Sequence, residues 1–480
     1  MAYRDLREWV AEVERLGQLQ TVEGAHWDLE IGALTELICE HSPSPPAVMF
    51  DAIPGYPRGY RILVNLLETV ERLALTTGLP TNLAPREFIQ EWRRRLRQLL
   101  PLEPKLVSDG PILQSRVVGD GIDLTGFPVP RWHELDGGRY IGTAVLVITR
   151  DPDEGWVNVG TYRVMLQGSD EVSVYISPGK HGRLHREKAF AQGKPLPVAI
   201  VFGSDPLLFL AASTDVPYGM TEFAYASAIK GEAIELIEGP VTGLPIPASA
   251  EIAIEGELSR DTLRAEGPFG EWTGYYASGS RSEPVMKVRS LLYREDPILC
   301  GAPPFRPSGG QGFYRSLLRS ALIWNALEEA GIPDVTAVWA HPAAGRFMTI
   351  VAIRQRYPGH AKQAALAATA CRAGAYLGRY VVVVDDDVDI YNTSDLIWAI
   401  ATRSNPEQDI DIVRGMWSGP LDPIIPKGQK GLNSRAIIDA TRPWEWREEF
   451  PPVSGVSPGL RAEVEAKWKA FFDQLKKGPQ

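Results

Sequence analysis

Two glutamates, Glu266 and Glu271, lie on either side of a Gly-Pro-Phe-Gly segment, and this spacing has a specific chemical use. A turn at the segment would direct both carboxylates into one cavity. Two close acids in a poorly solvated pocket cannot both ionise favourably, so the pKa of one rises and it becomes a proton donor near neutral pH. The alternative is a surface turn with two solvated acids, because short motifs often arise by chance.

An arginine, Arg163, ends the segment that begins at Asn158. The segment is predicted to be a strand, in which alternate side chains share a face, so Thr161 and Arg163 would point to the same side. An arginine that points inward needs an anion, and its guanidinium would bind a substrate carboxylate or a phosphate through two parallel hydrogen bonds. The other interpretation is an ordinary surface arginine.

The spacing of His181 and His185 is that of a metal-binding pair on a helix. However, Gly182 and the preceding Ser-Pro-Gly segment predict a loop, and the chain has no HExxH motif, so a paired zinc site is not expected. One histidine with a distant asparagine and glutamate would instead suit manganese or magnesium, completed by phosphate oxygens. Glu222, which begins a predicted helix, is either the third ligand or an exposed first-turn acid.

Three aspartates, Asp385 to Asp387, follow the predicted strand Tyr380 to Val384. They lie at its carboxyl end, where α/β sheets place ligands, and could bind a metal. With Asp389 they could instead cap the strand end and the helix near Ser394. This structural interpretation is favoured.

The composition excludes several classes of protein. The chain has 480 residues, of which 44% are hydrophobic, and this length predicts a multidomain protein. Its formal net charge of −10 has the wrong sign for nucleic-acid binding. The first residues lack the apolar core of a signal peptide, and no apolar run approaches the roughly 20 residues of a membrane span. Cys39, Cys300 and Cys371 form no CxxC pair, which predicts a cytoplasmic protein without a cysteine-rich zinc site.

Hydrophobic periodicity predicts how the elements that carry these residues are organised. Residues 1–115 combine amphipathic helices near Leu6 to Leu16 and Pro85 to Leu100 with short buried strands, which predicts an α/β domain. Residues 116–300 are short alternating strands separated by Gly, Pro and Asp, the pattern of an antiparallel barrel or sandwich, with a helix around 221–230.

The C-terminal half begins with a connecting segment, residues 301–319. Its Gly301 to Gly312 stretch is either an inter-domain linker or a loop that lines a pocket. Residues 320–455 alternate helix and strand, with one helix over 361–377, and predict a second α/β domain.

Residues 456–480 are predicted to form a terminal helix that begins at Ser457-Pro458. Its apolar stripe comprises Leu460, Val464, Trp468, Phe471, Phe472 and Leu475. The stripe must be covered by its own domain or by a second subunit. The second subunit is favoured, which predicts a homodimer or a higher homo-oligomer.

Six segments together resemble the UbiD family, which includes polyprenyl-hydroxybenzoate and ferulic acid decarboxylases, over nearly the entire chain. The segments are Asn158 to Arg163 (NVGTYR), Ile176 to His181 (ISPGKH), Glu222 to Leu236 (EFAYASAIKGEAIEL), Glu266 to Tyr275 (EGPFGEWTGY), Tyr380 to Asp389 (YVVVVDDDVD) and Trp398 to Arg403 (WAIATR). The resemblance implies an N-terminal α/β domain, a central FMN-binding split β-barrel and a C-terminal α/β domain. It also implies that the terminal helix exchanges across a dimer.

The resemblance further implies a prenylated FMN cofactor, supplied by a flavin prenyltransferase, and two metal ions. Asn158, His181 and Glu222 match the family's ligands for a manganese ion, or magnesium in its place, which also holds the flavin phosphate. A potassium ion is expected nearby. The residues expected to bind the cofactor are Asn158, Thr161, Tyr162, Arg163, Lys180, His181, Glu222 and Arg379.

Two of these positions depart from the family pattern. Arg379 stands where many relatives have a phosphate-contacting lysine, and it can still meet a phosphate with different geometry. Lys180 stands where some relatives have glutamine. It would add positive charge near the flavin and change substrate polarity or oxidation chemistry.

By the same resemblance, Arg163, Glu266 and Glu271 match a Glu-Arg-Glu catalytic network in which Arg163 bridges the carboxylates. The implied reaction is the reversible non-oxidative decarboxylation of an α,β-unsaturated or (hetero)aromatic carboxylic acid through a covalent adduct with prenylated FMN. Glu271 would then protonate the vacated carbon.

The substrate cannot be read from the sequence. Phe305, Arg306 and Phe313, in or beside the Gly/Pro-rich segment, are the candidate substrate-pocket residues, and Arg306 would select a second carboxylate or a polar substituent. Two other functions stay open. One is a non-catalytic flavin-binding or assembly protein of the same fold; the other is a two-carboxylate hydrolase that uses Glu266 and Glu271 without a cofactor.

Overall fold

The structure is a computed structural model that describes residues 2–214, 216, 219–307, 309–426, 429 and 431–476. Its N-terminal part alternates helices with short strands. The elements are α1 (Leu6–Arg15), β1 (Leu19–Glu23), α2 (Glu30–His41), β2 (Ala47–Asp51), β3 (Arg61–Val64), α3 (Val70–Thr77), α4 (Pro85–Gln98) and β4 (Lys105–Leu106). The predicted α1 face is confirmed, because Leu6, Trp9 and Val13 are fully buried.

A four-stranded sheet forms the centre of this part. Strand β2 pairs in parallel with β1 and antiparallel with β3. The fourth strand comes from much later in the chain, because Ile298–Cys300 pairs in parallel with β3. The chain therefore returns to the N-terminal sheet just before the Gly/Pro-rich segment that begins at Gly301.

The central part is mainly β-structure, as the short alternating runs predict. Its elements are β5 (Ser115–Val118), β6 (Tyr140–Gly142), β7 (Val145–Arg150), β8 (Val157–Gly160), β9 (Val164–Leu166), β10 (Glu171–Val174), α5 (His181–Ala191), β11 (Leu196–Phe202), α6 (Pro206–Ala212), α7 (Glu222–Lys230), β12 (Glu235–Glu238), β13 (Pro245–Pro247), β14 (Ile252–Glu266), β15 (Arg281–Tyr293) and β16 (Ile298–Cys300). The helix predicted around 221–230 is confirmed as α7.

A nine-stranded antiparallel sheet, curled into a half-barrel, dominates this part. The strand order is β6-β9-β10-β15-β14-β11-β7-β8, and β5 pairs with β15. The long β14–β15 pair changes register at Glu255/Gly256 and at Leu258/Leu263, and such bulges bend a sheet. Along β7, Val145 and Val147 belong to one hydrophobic cluster and Leu146 and Ile148 to another, so the sheet is buried on both faces.

The C-terminal part is a second α/β unit. Its elements are α8 (Gly312–Glu329), β17 (Val335–Ala340), β18 (Met348–Ile353), α9 (His360–Ala370), α10 (Arg372–Ala375), β19 (Tyr380–Asp385), α11 (Thr393–Arg403), α12 (Pro406–Asp409), β20 (Ile410–Trp417), β21 (Leu432–Ala440), α13 (Pro458–Lys467) and α14 (Lys469–Lys476). The sheet order is β17-β18-β19-β21-β20, and the three central strands are parallel.

One predicted helix of this part is interrupted. The helix expected over 361–377 divides into α9 and α10 at Cys371, whose backbone is extended. Gly374 then comes so close to the chain that an added Cβ would lie 1.8 Å from the carbonyl oxygen of Ala368. The prediction of a continuous helix was therefore wrong, because this close approach redirects the chain.

The three aspartates at the end of β19 form ion pairs with arginines, and the prediction that they cap the helix near Ser394 was wrong. Asp385 and Asp387 both form ion pairs with Arg403, and Asp387 also pairs with Arg442. The helix α11 is capped by Asn392, whose side chain accepts a hydrogen bond from Ser394 N. The aspartates thus tie the end of β19 to α11 rather than capping the helix themselves.

Most of the described terminal stripe is exposed, although Phe472 is partly buried. The helix that carries the stripe is divided in two at Trp468. The exposed fractions are 50% for Leu460, 53% for Trp468 and 52% for Phe471. The side chain of Leu475 lies outside the described part of the chain. In the described ranges, no helix is both long enough and apolar enough to cross a bilayer.

Candidate active site

A cavity of about 460 Å³ lies between the curled central sheet and the C-terminal α/β unit, a size typical of small-molecule sites. Most of the side chains selected from the sequence line it. They are Asn158, Thr161, Tyr162, Arg163, Lys180, His181, Glu222 and Glu271. These residues come from a strand, from loops and from two helix starts, so the fold brings together groups that are up to about a hundred residues apart in sequence.

Arg163 holds both predicted catalytic carboxylates. Its Nε and Nη2 donate to the two oxygens of Glu266 at 2.7 and 2.9 Å, and its Nη1 donates to Oε1 of Glu271 at 2.5 Å. The guanidinium also lies over the ring of Tyr175, 4.5 Å from its centroid. These contacts fix the plane of the guanidinium, and the neighbouring carboxylates raise the pKa of Arg163 against the effect of burial.

The strand predicted to carry Arg163 is shorter than expected. Strand β8 ends at Gly160 and β9 begins at Val164, so Thr161 and Arg163 lie in the connection between them. The alternation argument for a shared face was therefore wrong, although both residues line the cavity. Gly160 permits this connection, because an added Cβ would lie 2.3 Å from the ring of Tyr162.

The turn between Glu266 and Glu271 is held by the segment that leads into β6. Gly270 N donates to Oδ1 of Asp136 at 3.0 Å, and the hydroxyl of Tyr140 donates to Oε1 of Glu266 at 3.2 Å. Gly267 has φ +83°, a conformation that favours glycine. The turn thus directs both carboxylates inward, and the alternative of a solvated surface turn is wrong because both glutamates are buried.

Burial sets the protonation of Glu271. Its pKa is raised to about 7, chiefly by loss of solvation; the charge of Arg163 opposes the shift and the nearby Glu266 adds to it. A carboxyl group with such a pKa is about half protonated at neutral pH. Glu271 therefore has the property of a general acid, as the paired-carboxylate argument predicts.

The candidate metal ligands lie within or at the start of regular elements on one side of the cavity. Asn158 lies in β8, while His181 and Glu222 are the first residues of α5 and α7. Oε2 of Glu222 accepts a hydrogen bond from Val159 N at 2.7 Å, and the ring of His181 meets the ring of Trp156 edge-on at 4.8 Å.

These residues fit a divalent cation. Burial raises the pKa of Glu222 to about 7, and only the backbone N–H groups of Val159 and of Glu222 itself oppose that shift among the described residues. A cation at the carboxylate would favour its ionised form. An amide oxygen, an imidazole nitrogen and a carboxylate form a donor set that suits a hard-to-borderline metal ion.

The loop predicted around His181 and His185 was wrong. Both residues lie in α5, where Gly182 occupies the first turn. Nδ1 of His185 is 2.9 Å from the hydroxyl oxygen of Thr149, and His185 is 1% exposed. Its ring is thus part of the packing beneath the helix, and His181 alone of the two lines the cavity.

Arg379 does not line the cavity. Its guanidinium forms an ion pair with the buried Asp422 and lies 4.8 Å from the centroid of the Phe347 ring. The cavity is lined instead by Arg372, the first residue of α10. The expectation that Arg379 contacts a cofactor in this cavity is therefore corrected. Gly374, inside the predicted helix, was the sequence signal for the break between α9 and α10, which places Arg372 at the cavity.

The Gly/Pro-rich segment is a pocket-lining loop rather than a linker, because Ala302, Pro304 and Gln311 line the cavity. The three residues predicted to contact substrate do not. Phe305 is buried with its ring against His133, Arg306 is exposed next to Gly274, and Phe313 packs on the core. Pocket residues that sequence reasoning missed are Tyr175, Trp272, Arg315, Arg346, Tyr376, Trp417 and Leu421.

Three domain models of one family match the chain. They are the 3-octaprenyl-4-hydroxybenzoate carboxy-lyase N-terminal domain over residues 10–92, the Rift-related domain over residues 105–307 and the C-terminal domain over residues 313–440. Together they span the N-terminal, central and C-terminal parts of the structure.

Individual relatives are similar over nearly their full length. The chain is 32% identical to a phenolic acid decarboxylase of Bacillus subtilis (strain 168), covering 92% of this chain and 93% of that protein. It is 30% identical to a pyrrole-2-carboxylic acid decarboxylase of Pseudomonas aeruginosa, covering 97% and 98%.

Solved structures have the same fold. Vanillic acid decarboxylase of Sedimentibacter hydroxybenzoicus in its open form matches with a TM-score of 0.85 and 30% identity, covering 99% of this chain and 100% of that chain. An evolved dimeric form of the UbiD-class enzyme HmfF from Pelotomaculum thermopropionicum, in complex with prFMN, matches with a TM-score of 0.81 and 27% identity, covering 96% and 98%. The chain therefore belongs to the UbiD family of carboxy-lyases.

Proposed function

We propose that Arg163, Glu266 and Glu271 are the catalytic residues of a reversible, non-oxidative decarboxylation. The substrate class is an α,β-unsaturated or (hetero)aromatic carboxylic acid. The observation that carries this proposal is the guanidinium of Arg163, which makes a two-bond fork to Glu266 and a third bond to Glu271 at the buried side of the cavity. Relatives with decarboxylase names support the reaction type.

The cofactor of this reaction is prenylated FMN, and the residues on the metal side of the cavity are suited to hold it. We propose that Asn158, His181 and Glu222 would hold a manganese or magnesium ion, whose charge would favour binding of the flavin phosphate, and that a potassium ion would bind nearby. Lys180 and Arg372 contribute positive charge for the phosphate, and Thr161 and Tyr162 line the same space. When bound, the prenylated flavin supplies the electron sink for the carbon that loses carbon dioxide.

The protein's own residues orient the substrate acid and transfer one proton. Arg163 is fixed by Glu266, so its remaining surface is preorganised toward the substrate carboxylate. Glu271, with its raised pKa, delivers a proton to the vacated carbon and withdraws it in the carboxylation direction.

The other functions considered from the sequence receive less support. A flavin carrier without catalysis would not need Arg163 bonded to two buried glutamates. A two-carboxylate hydrolase would act without a cofactor, and it predicts activity in colourless protein stripped of metal.

The assembly and setting of the enzyme follow from its exposed and buried groups. The exposed stripe on α13 and α14 is proposed to cover a second copy of the chain in a homodimer or larger homo-oligomer. A flavin prenyltransferase is the proposed supplier of cofactor. A cytoplasmic setting is also proposed; the three cysteines, Cys39, Cys300 and Cys371, are free thiols, and burial raises the pKa of each.

The test is expression of the chain together with a flavin prenyltransferase. Mass spectrometry of the bound cofactor and carbon dioxide release are then measured over a panel of acrylic, hydroxybenzoic and heteroaromatic acids. We expect a prenylated FMN mass and carbon dioxide release from at least one acid, lost in Glu271→Gln. Loaded protein that releases none from any acid contradicts the proposal, and activity in protein stripped of flavin and metal favours the hydrolase.

A further inference from the structure

A small side pocket of about 20 Å³ adjoins the main cavity next to Trp272, the residue that follows Glu271. Trp272, Gln311, Arg315 and Arg346 line both spaces, so the same side chains face each of them. The volume of the side pocket is enough for a group the size of one or two water molecules. A carboxylate group is small enough to enter the side pocket while the rest of the molecule occupies the main cavity.

The lining of the side pocket is cationic. Arg315, Arg319 and Arg346 contribute to it, and its lining residues within the described chain include no aspartate or glutamate. The guanidinium of Arg346 lies 5.5 Å from the centroid of the Trp272 ring, which fixes its position beside the proposed proton donor. Nη2 of Arg319 donates to the backbone carbonyl of Gly374 at 3.3 Å and joins the pocket to α10.

Arg315 donates hydrogen bonds to two uncharged side chains. Its Nη2 donates to Oε1 of Gln311 at 2.8 Å and its Nε donates to the hydroxyl of Tyr314 at 3.1 Å. Both are uncharged acceptors that leave the positive charge available to an anion.

The start of α8 adds to the positive electrostatic potential in the side pocket. The helix is 18 residues long, begins at Gly312 in the side pocket, and its N-cap residue Gln311 makes no side-chain capping bond. The first N–H groups of a helix and its dipole favour an anion.

We propose that Arg315, Arg346 and the first turn of α8 bind a second anionic group of the substrate, so that the preferred acids are unsaturated or aromatic dicarboxylates. The proposal rests on the proposed function and names its substrate class. The group that loses carbon dioxide lies at Arg163 and Glu271, and the second carboxylate extends past Trp272 into the side pocket. This role replaces the one predicted for Arg306, whose exposed side chain lies outside both spaces.

The flavin phosphate is the other anion that these arginines could attract. The position of the side pocket argues for the substrate, because Trp272 follows the proposed proton donor in the chain. Lys180 instead precedes His181, a proposed metal ligand. The experiment separates the two sources by measuring cofactor retention alongside ligand affinity.

Binding is measured by calorimetry on the cofactor-loaded protein, with benzoate and the three benzenedicarboxylate isomers as probes. We expect at least one dicarboxylate to bind on the order of tenfold tighter than benzoate in the wild type. Arg315→Ala should lose that preference and Arg315→Lys should keep part of it. Arg260→Ala, which removes an arginine half-exposed on β14, is the matched control and should retain it.

Two results overturn the proposal. One is equal affinity of the wild type for benzoate and all three dicarboxylates. The other is loss of flavin from Arg315→Ala with the dicarboxylate preference unchanged in the remaining loaded protein, which assigns the arginine to the phosphate. Neither result depends on turnover. If the protein releases carbon dioxide but shows no preference for dicarboxylates, the proposed function stands and the anion site is wrong. If it prefers dicarboxylates but releases carbon dioxide from no acid, the anion site stands and the proposed function is wrong.

Discussion

Arg163 and Glu266 are 103 residues apart in sequence, yet the two carboxylate oxygens of Glu266 lie 2.7 and 2.9 Å from Nε and Nη2 of Arg163. The carboxylate is completely buried and the guanidinium nearly so. This two-bond fork leaves Nη1 to reach Glu271, so one arginine sets the separation of the two acids. The geometry depends on a planar group with several donors, which only arginine provides.

Arg163→Lys should therefore abolish most of the activity while leaving the charge in place. An ammonium group cannot bond to both carboxylates in this geometry, and displacement of the acids by about 1 Å is expected to lower kcat/KM by about 100-fold. Steady-state carbon dioxide release with the loaded protein measures the effect. Arg260→Ala on the outer surface serves as the control, and near wild-type kcat/KM in Arg163→Lys would contradict the positioning role.

The pH dependence of the two reaction directions should have opposite signs. In the proposed mechanism decarboxylation needs protonated Glu271, whose pKa is raised to about 7 chiefly by burial, so the rate should fall as pH rises through about 7. Carboxylation needs the ionised form, so its rate at constant carbon dioxide should rise over the same range. Rates measured from about pH 5.5 to about pH 8.5 in both directions, a range that brackets this pKa, provide the check.

Glu271→Gln identifies the group responsible for that pH dependence. The amide keeps the size of the side chain but carries no transferable proton, so kcat should fall by about 100- to 10,000-fold. The residual rate should no longer change near pH 7. A retained transition at the same pH would assign it to another group.

Glu222→Gln should release metal and cofactor together. The amide keeps one oxygen but loses the negative charge, and metal affinity is expected to fall by more than about tenfold. Elemental analysis and the flavin absorbance of the purified protein measure both losses, with Glu257→Gln on the exposed side of β14 as the matched control. Full metal and flavin content in Glu222→Gln would remove Glu222 from the proposed ligand set.

Tyr140→Phe tests the segment that supports the catalytic turn. The variant removes one hydrogen bond to Glu266 and leaves that buried carboxylate with its two bonds from Arg163. We expect a loss of about 1 kcal/mol in transition-state stabilisation, or roughly fivefold in kcat, with KM little changed. A change in the melting temperature with unaltered kcat would instead indicate that Tyr140 serves stability alone.

Hydrophobic patterns in the sequence correctly predicted the helices and strands that depend mainly on their own residues. The periodicity of Leu6, Trp9 and Val13 is confirmed by their burial on α1, and the apolar run at Tyr380 is the central strand β19. Elements that depend on distant contacts were predicted less well. The helix over 361–377 breaks where Gly374 approaches Ala368, and α5 forms at His181 in spite of Gly182.

The site itself could be predicted only in part. The resemblance to a family selected Arg163, Glu266 and Glu271, and the structure brings them together; spacing alone could not, because the half-barrel sheet determines which loops meet. The lining of the cavity was predicted less well. Arg379 forms an ion pair with Asp422, and Arg315 rather than Arg306 lines the cavity, because which side of a loop or helix faces a cavity depends on tertiary packing.

The terminal helices should determine the assembly of the enzyme. Trp468 and Phe471 are each about half-exposed, and a partner that covers the exposed half would gain about 1 kcal/mol for each side chain. The double variant Trp468→Ser with Phe471→Ser should therefore reduce the mass measured by light scattering to that of a monomer at micromolar concentration. Since both side chains are exposed within one chain, the monomer's own free energy of unfolding should change by less than about 1 kcal/mol. An unchanged oligomer mass would show that another surface holds the subunits together, and the exposed Ile412 on β20 and Ile424 in the segment after it would then be the next residues to substitute.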